Sequence, residues 1–465
     1  MDTIRQYLKN KGYNTVAESF YSYIQDWNDW YKGYFSDFHS YKQYNGTTFV
    51  NRKMYALGMA KKVCEDHANL LMNEKVDIST GNDMFDEILK NIFQRNNFRV
   101  RANQLVEITF ALGTGAFVEY PDVGGSPIID FVRAPMIYPI SDDNGDITEC
   151  AFASLRMIEG TKYYYINIHR LDEKGFYRVE NKFVSQKDGN EKPTDENGQY
   201  EVNGKTIDSI VETGSTLPRF QIIMPNIVNN VDYDCPMGIS VFANAIDELK
   251  AVDVAYDSYV NEFVLGKKRI FVSTDILNQK ITPEGNYTPI FDPNDVTFYS
   301  MPDDEKSKKE PIHEINMELR SEPHEAGLQR FLSLLGDKCG LGADRYKFEQ
   351  GQPQTATQVI SEKSDMYQVV KKNEIVLESA LIGMTKVLAK MSGIDPKSLE
   401  IKVDFDDSIV EDKDSERTRM LSLVTQGKYP LAKYLQTYEN YTEDEANDIE
   451  QYANSQPTIE TGFGV

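Results

Sequence analysis

The residues that could do chemistry are few and scattered. Cys64-x-x-His67 has the spacing of half a metal site, but no second Cys/His pair completes it. Both residues sit on an apolar helical stripe, which reads as core. Asp404, Asp406 and Asp407 offer hard oxygen ligands. They follow a strand-like segment, where solvation or capping is the simpler role. Asp142-Asp-Asn-Gly-Asp146 lacks the glycine and glutamate positions of a calcium loop and reads as a hairpin turn. Gly113-Thr-Gly115 follows a helix and lacks the third glycine of a dinucleotide loop. No GxxxxGK[ST] phosphate loop and no GxSxG elbow occur, and the five histidines form no triad readable from spacing. The sequence therefore argues against an enzyme, and no metal or cofactor is expected. One other polar stretch stands out. Ala343 to Gln354 is a loop that begins with Arg345, Tyr346 and Lys347 and continues into Gln and Gly.

Two helices must position that loop. Ser321 caps the first and Pro323 fits its first turn. Leu328, Phe331, Leu332, Leu335 and Cys339 form its apolar face, and Gly340 and Gly342 stop it. The second starts with Thr355 as N-cap and Gln358 three residues later, the spacing of a capping box. Leu377, Leu381, Met384, Leu388 and Met391 keep one face, and Gly393 and Pro396 end it. At about 1.5 Å per residue such a helix spans about 54 Å, with Gly383 as the one point for a kink. That length suits a beam in an extended or multi-subunit object.

Ahead of these helices, residues 1–113 read as helical. An aromatic stripe runs Phe20, Tyr23, Trp27, Trp30, Tyr34, Phe38 and Tyr41 in steps of three and four. It could stack nucleobases, but with Asp26, Asp29 and Asp37 beside it a packing face is the better reading. Helices follow at about 51–73, 84–96 and 101–112. From Gly113 the pattern changes to strands at 115–120, 128–132, 136–140, 147–157, 162–171 and 176–184, separated by Gly124–Gly125, Asn144–Gly145 and Lys174–Gly175. Residues 186–205 read as an exposed hairpin excursion. A helix then runs to about Leu265, with Asp247, Glu248, Asp253, Asp257 and Glu262 off its apolar face. Lys267-Lys268-Arg269 leads into a small αβ insertion. A strand at 399–405 and an acidic helical tail from Ser415 to Ala453, broken near Lys428–Pro430, close the chain.

Composition sets the outer limits. The 465 residues allow two to four domains. With 50 basic and 73 acidic residues the formal charge is −23, so the surface as a whole repels nucleic acid and only a few placed cations would touch it. Residues 1–15 are charged and do not read as a signal peptide, and no run approaches the length of a membrane span. Four well-separated cysteines suit buried thiols in a reducing compartment.

The order of these parts resembles a bacteriophage portal protein of tailed phages with long non-contractile tails. The segments that carry the likeness are Arg52 to Ile78, Pro236 to Val272 and Gln354 to Met366. They are family-like patterns whose specificity lies in their combination and order. The resemblance implies an α+β portal-type fold in a ring of about twelve subunits around a DNA tunnel. It implies a wing (1–233), a stem helix (234–266), a clip (267–320), a second stem helix (321–341), a tunnel loop (342–354), a long wing helix with a strand (355–412) and a short helical crown (413–465). It further implies a channel for double-stranded DNA packaging and ejection at one capsid vertex. The partners would be terminase, the head–tail adaptor, major capsid and scaffolding proteins, with no membrane. The protein would sit in the virion, after assembly in the host cytoplasm. Arg345, Tyr346, Lys347, Gln350 and Gln352 would face DNA. Lys338, Lys267, Lys268 and Arg269 would supply further tunnel or intersubunit charge. A phage adaptor that binds only protein, or an enzyme with an unrecognised site, are the competing readings.

Overall fold

A computed structural model of the chain describes residues 2–44, 46–72, 76–122, 124–267, 269–273, 280–281, 287–288, 298–301, 312–315, 317–348, 356–405, 413–439 and 441–455. Helices α1 (Asp2–Asn10), α2 (Glu18–Tyr31) and α3 (Ser36–His39) come first, followed by a hairpin of β1 (Ser40–Tyr44) and β2 (Phe49–Lys53). Then come α4 (Met59–Leu71), β3 (Asp77–Ser79), α5 (Asp83–Arg95) and α6 (Phe98–Leu112).

This overturns an all-helical start. Residues 40–44 and 49–53 pair as an antiparallel hairpin, not as helix. The aromatic stripe is therefore split. Phe20, Trp27 and Trp30 are buried on α2, whereas Tyr41 lies on an exposed strand. The break falls at Gly33, whose positive φ of 81° ends α2. The helix expected from 51 begins at Met59, behind Gly58 at φ 72°.

The β-rich body matches the sequence pattern closely. Strands β4 (Gly115–Pro121) and β5 (Pro127–Arg133) join β13 (Phe220–Ile223) in one antiparallel sheet, order β13-β4-β5. Strands β6 (Ile137–Asp143), β7 (Asp146–Ile158), β8 (Thr161–Leu171), β9 (Tyr177–Ser185) and β12 (Ile210–Glu212) form a second, order β12-β9-β8-β7-β6. The 142–146 segment is a hairpin turn, with Asn144 and Gly145 at positive φ. The stretch expected as an exposed excursion instead folds back. Its hairpin, β10 (Gln199–Val202) and β11 (Lys205–Asp208), places Tyr200 fully inside a cluster with Ile158 and Phe183. The tyrosine hydroxyl donates to Glu191 at 3.1 Å.

Helix α7 runs Ile246–Leu265. It starts later than expected because residues 238–242 are held as irregular backbone against α6. Val241 N–H donates to Phe110 O at 2.9 Å, and Gly238 packs on Gly113 so closely that a Cβ on either would strike the other's carbonyl oxygen. The segment 267–320 contributes β14 (Arg269–Ser273), β15 (Lys280–Ile281), β16 (Tyr287–Thr288), β17 (Phe298–Met301) and β18 (Ile312–Ile315). Strand β14 pairs parallel with β17 and antiparallel with β18. Helix α8 is Ser321–Lys338, and α9 is Ala356–Met391, 36 residues without a break at Gly383. The capping box at Thr355 lies outside the described residues. The strand expected at 399–405 is shorter, β19 (Lys402–Asp404), and pairs with β3. Asp406 and Asp407 lie outside the described residues.

The chain divides into two compact units, residues 1–353 with 368–405, and residues 354–367 with 406–465. The second contains α10 (Lys413–Thr425), α11 (Leu431–Tyr438) and α12 (Glu443–Ser455). Arg417 pairs with Glu439 at 2.6 Å, and Glu450 accepts from Leu431 N–H at 2.8 Å. No helix among the described residues is long and apolar enough to cross a membrane.

Candidate functional site

The loop after α8 is a built structure. Gly340 and Gly342 take positive φ, so the chain reverses at once and the Gly342 carbonyl lies against Gly336 of α8. Any side chain at Gly336 would meet that oxygen at 2.5 Å. The reversal brings Arg345 and Tyr346 onto α4, where both reach Asp66. Arg345 Nη2 donates to Asp66 Oδ1 at 2.9 Å, and Tyr346 OH donates to Oδ2 at 3.0 Å. Lys62 supplies a third donor at 2.8 Å.

Asp66 is only 2% exposed. Burial alone would raise its carboxyl, but the bonds from Arg345 and Lys62 outweigh it and hold the group below the usual carboxylate range. The same anion pushes the Tyr346 hydroxyl, already raised by burial, further up and raises Arg345. Gln329 of α8 grips the loop backbone from the other side. Its amide donates to Tyr346 O at 3.2 Å and accepts from Phe348 N–H at 2.8 Å. The backbone on either side of Lys347 is thus fixed, and the Lys347 ammonium pairs with Asp344.

Next to Asp66, the pair Cys64 and His67 is core, as the apolar stripe predicts. Both are buried, and His67 Nε2 donates to Cys339 O at 3.0 Å, tying α4 to the end of α8. Burial lowers this imidazole to about 4, so it is neutral near pH 7. No group of three metal-binding side chains occurs among the described residues.

Helices α7 and α8 pack along Leu249 and Val252 on one side and Leu328, Leu332 and Leu335 on the other. Charge pairs lace both ends. Lys338 Nζ meets Glu248 at 3.0 Å. Glu262 takes Arg320 bidentately, at 2.8 and 3.1 Å, and also accepts its backbone N–H. Bonds from Arg320 lower the Glu262 carboxyl to about 2. Asp253 and Asp257 face inward. Asp253 meets His39 Nε2 at 2.9 Å and accepts from Leu57 N–H, and Asp257 accepts from Tyr55 N–H. All five acids of α7 are therefore engaged within the chain, Asp247 on the exposed side with Lys250 at 3.0 Å.

Of the residues singled out in the sequence, Arg345, Tyr346 and Lys347 come together on the anchored turn. Lys338 lies on the helix that carries it. Lys267 is exposed at the end of α7, and Arg269 is in β14. Lys268, Gln350 and Gln352 lie outside the described residues. Sequence reasoning missed Asp66, Gln329 and the Glu262–Arg320 pair. Asp66 did carry a signal, as an acid on the same short apolar helix as Cys64 and His67.

A cavity of about 790 Å³ lies elsewhere, walled by strands of both sheets and the β10–β11 hairpin. Its wall mixes apolar residues with polar ones that include Glu119, Asn167, His169, Asn181, Lys205 and Arg219. Burial drives the Glu119 carboxyl well up and the His169 imidazole down to about 3.

A sequence profile described as "Phage portal protein, SPP1 Gp6-like" matches residues 11–458. No curated protein matches the chain. A solved structure described as "Neck of native GTA particle computed with C12 symmetry" overlaps 84% of this chain and 89% of that one, at 11% identity and a TM-score of 0.37.

Proposed function

The chain belongs to the SPP1 Gp6-like phage portal protein family, and on that premise we propose that it forms a ring through which double-stranded DNA is packaged and ejected. The portal role at the head–tail junction of a virion follows from the family. The finer assignments are our reading. Residues 1–233 are the wing, 234–266 and 321–341 the stem, 267–320 the clip, 342–354 the tunnel loop, 355–412 the long helix and wing strand, and 413–465 the crown. The clip faces terminase during packaging and the head–tail adaptor afterwards, and the wing meets capsid and scaffolding proteins. Another protein's motor supplies the work, so the role here is mechanical.

The observation that carries this reading is the family match across residues 11–458. The helix pair ending in an anchored, cation-bearing turn also supports it. A threaded duplex must not stick, because each neutralised phosphate adds salt-sensitive affinity. In the protomer every cation of the turn already has a carboxylate partner, Arg345 with Asp66 and Lys347 with Asp344. Paired cations on an acidic chain present a weak, fixed contact to passing phosphates. Arg345 and Tyr346 position the loop, Lys347 touches the backbone, and Gln350 and Gln352 complete the DNA-facing stretch. Lys338, Lys267, Lys268 and Arg269 add charge along the stem and at its junction with the clip.

The test is native mass spectrometry with negative-stain imaging of the purified chain, alone and with scaffold and capsid protein. The expected result is rings of about twelve copies with a hole at least as wide as duplex DNA, about 20 Å. In a packaging assay, Lys347→Ala is expected to alter the rate while rings still form. A compact monomer under both conditions overturns the ring, and unchanged packaging overturns the DNA-contact role.

A further inference from the structure

The β1–β2 hairpin meets its own protomer at its base, where Lys53 Nζ lies 5.7 Å from the Tyr34 ring centroid. All but one of its strand residues are exposed, and Tyr44 and Phe49 pair their rings across its tip at 5.3 Å while remaining 57% and 69% exposed. An isolated two-stranded hairpin is marginal in water, yet this one has a fixed base. His39, at its start, is buried against Asp253 of α7, and Tyr55 and Leu57, just beyond its end, are held by Asp257 and Asp253. It is an arm with a rigid shoulder. Its charge is unlike that of the rest of the chain. From Phe38 to Cys64 there is no acidic residue, in a protein carrying 73 of them, and the arm itself bears Lys42, Arg52 and Lys53.

A complementary surface lies on the loop before α7. From Gln221 to Leu249 there is no Lys or Arg. Val228 and Tyr233 stand out at 74% and 80% exposed, beside Asp232 and Asp234. The loop keeps its shape through Asn229, whose Oδ1 accepts from the Val231 and Asp232 N–H groups and whose Nδ2 donates to Met237 O. Asp142, Asp232 and Asp234 line a cavity of about 240 Å³ at its edge, room for one long basic side chain.

We propose that the β1–β2 arm docks on the Val228–Asp234 loop of a neighbouring copy of this chain, its aromatic tip on Val228 and Tyr233 and its cations facing Asp142, Asp232 and Asp234. The contact is heterologous: every copy offers one arm and receives one, so a ring closes with no arm left over. This rests on the ring reading. Nucleic acid is a poorer occupant, because three cations on a chain of net charge −23 gain little against phosphate. Like-charge juxtaposition, in contrast, is costly at an interface and opposite charge steers assembly.

The test uses the full chain. Carbodiimide coupling of a mixture of isotope-labelled and unlabelled protein should join Lys42 or Lys53 to Asp232 or Asp234 in mixed-label peptides. Lys42→Glu with Arg52→Glu changes only exposed side chains and should keep the far-UV circular dichroism. It should raise the concentration needed for rings at least about tenfold, and Asp234→Lys in the same chain should recover part of that loss. If wild-type protein never self-associates, the ring reading and the arm both fall. Rings that form equally well with the reversed arm, without mixed-label links, overturn the arm alone. An arm that couples to DNA and not to the loop also overturns it.

Discussion

Asp66→Asn should release the turn at 340–348 without unfolding the body beneath it. Removing one partner of a fully buried ion pair costs about 3–5 kcal/mol. Here the acceptor is buried, but Arg345 is 34% exposed and Lys62 about half exposed, so water replaces part of what is lost. A residual cost of about 2 kcal/mol falls on the local contact, since Gln329 still grips the backbone. That corresponds to about a 30-fold rise in the open population of the turn. Hydrogen exchange at Leu341 and Arg345, and tryptic cleavage after Arg345, should accelerate by that order. Amides of the β7–β8 pair should not change. Tyr346→Phe, which removes one of the three donors, should give about a fivefold effect, the worth of one ordinary hydrogen bond. Because Asp66 is held below its ordinary range, the hold is complete above the carboxylate's unfolded value and is lost only as pH falls through the lowered one. Acceleration below threefold in Asp66→Asn would refute the view that this carboxylate anchors the loop.

Gly113→Ala and Gly238→Ala should each cost at least about 2 kcal/mol, because the Cβ meets backbone that cannot step aside, and at Gly113 the φ of 85° adds strain. A lower urea midpoint checks this, and an unchanged one contradicts the close approach. Tyr200→Ala should destabilise the β-rich body by about 3–5 kcal/mol, a core-sized loss; a surface-sized loss below about 0.5 kcal/mol would restore the exposed-hairpin reading. Carbon-detected NMR titration of Glu262 should place its midpoint near 2, with the Arg320 pair intact above that pH and lost as pH falls through it. A midpoint above 4 would show the pair open in solution.

Local pattern found what local forces decide. The 36-residue α9 was legible because its apolar steps of three and four run on with no proline, and the single Gly383 is tolerated. The strands from 115 to 185 were legible because positive-φ pairs such as Asn144–Gly145 punctuate them. The arm was illegible for the opposite reason. Its faces are both exposed, so no alternation of polar and apolar residues marked it, and aromatics at 34, 38 and 41 continued a helical period by coincidence. The anchoring of Arg345 was illegible because Asp66 is 279 positions away, and nothing near either residue announces the other.

If the turn faces DNA as proposed, its two ion pairs bear on what an acidic portal chain must solve. Placed cations at a DNA channel are valuable only if they stay where they are put and do not hold too hard. Free lysines and arginines would collapse onto the nearest of 73 carboxylates or onto the phosphate itself. Giving each cation of the turn its own carboxylate would answer both problems. On that reading the pair would fix the geometry and leave a partial rather than a full positive charge towards the duplex. A variant that removes the carboxylate should therefore differ from one that removes the cation. Asp344→Asn should strengthen retention of DNA in the channel and increase the salt dependence of its release, whereas Lys347→Ala should weaken both. The salt slope of DNA release from assembled rings separates the two. If both variants shift it in the same direction, the pairing is structural and plays no part in moderating the contact.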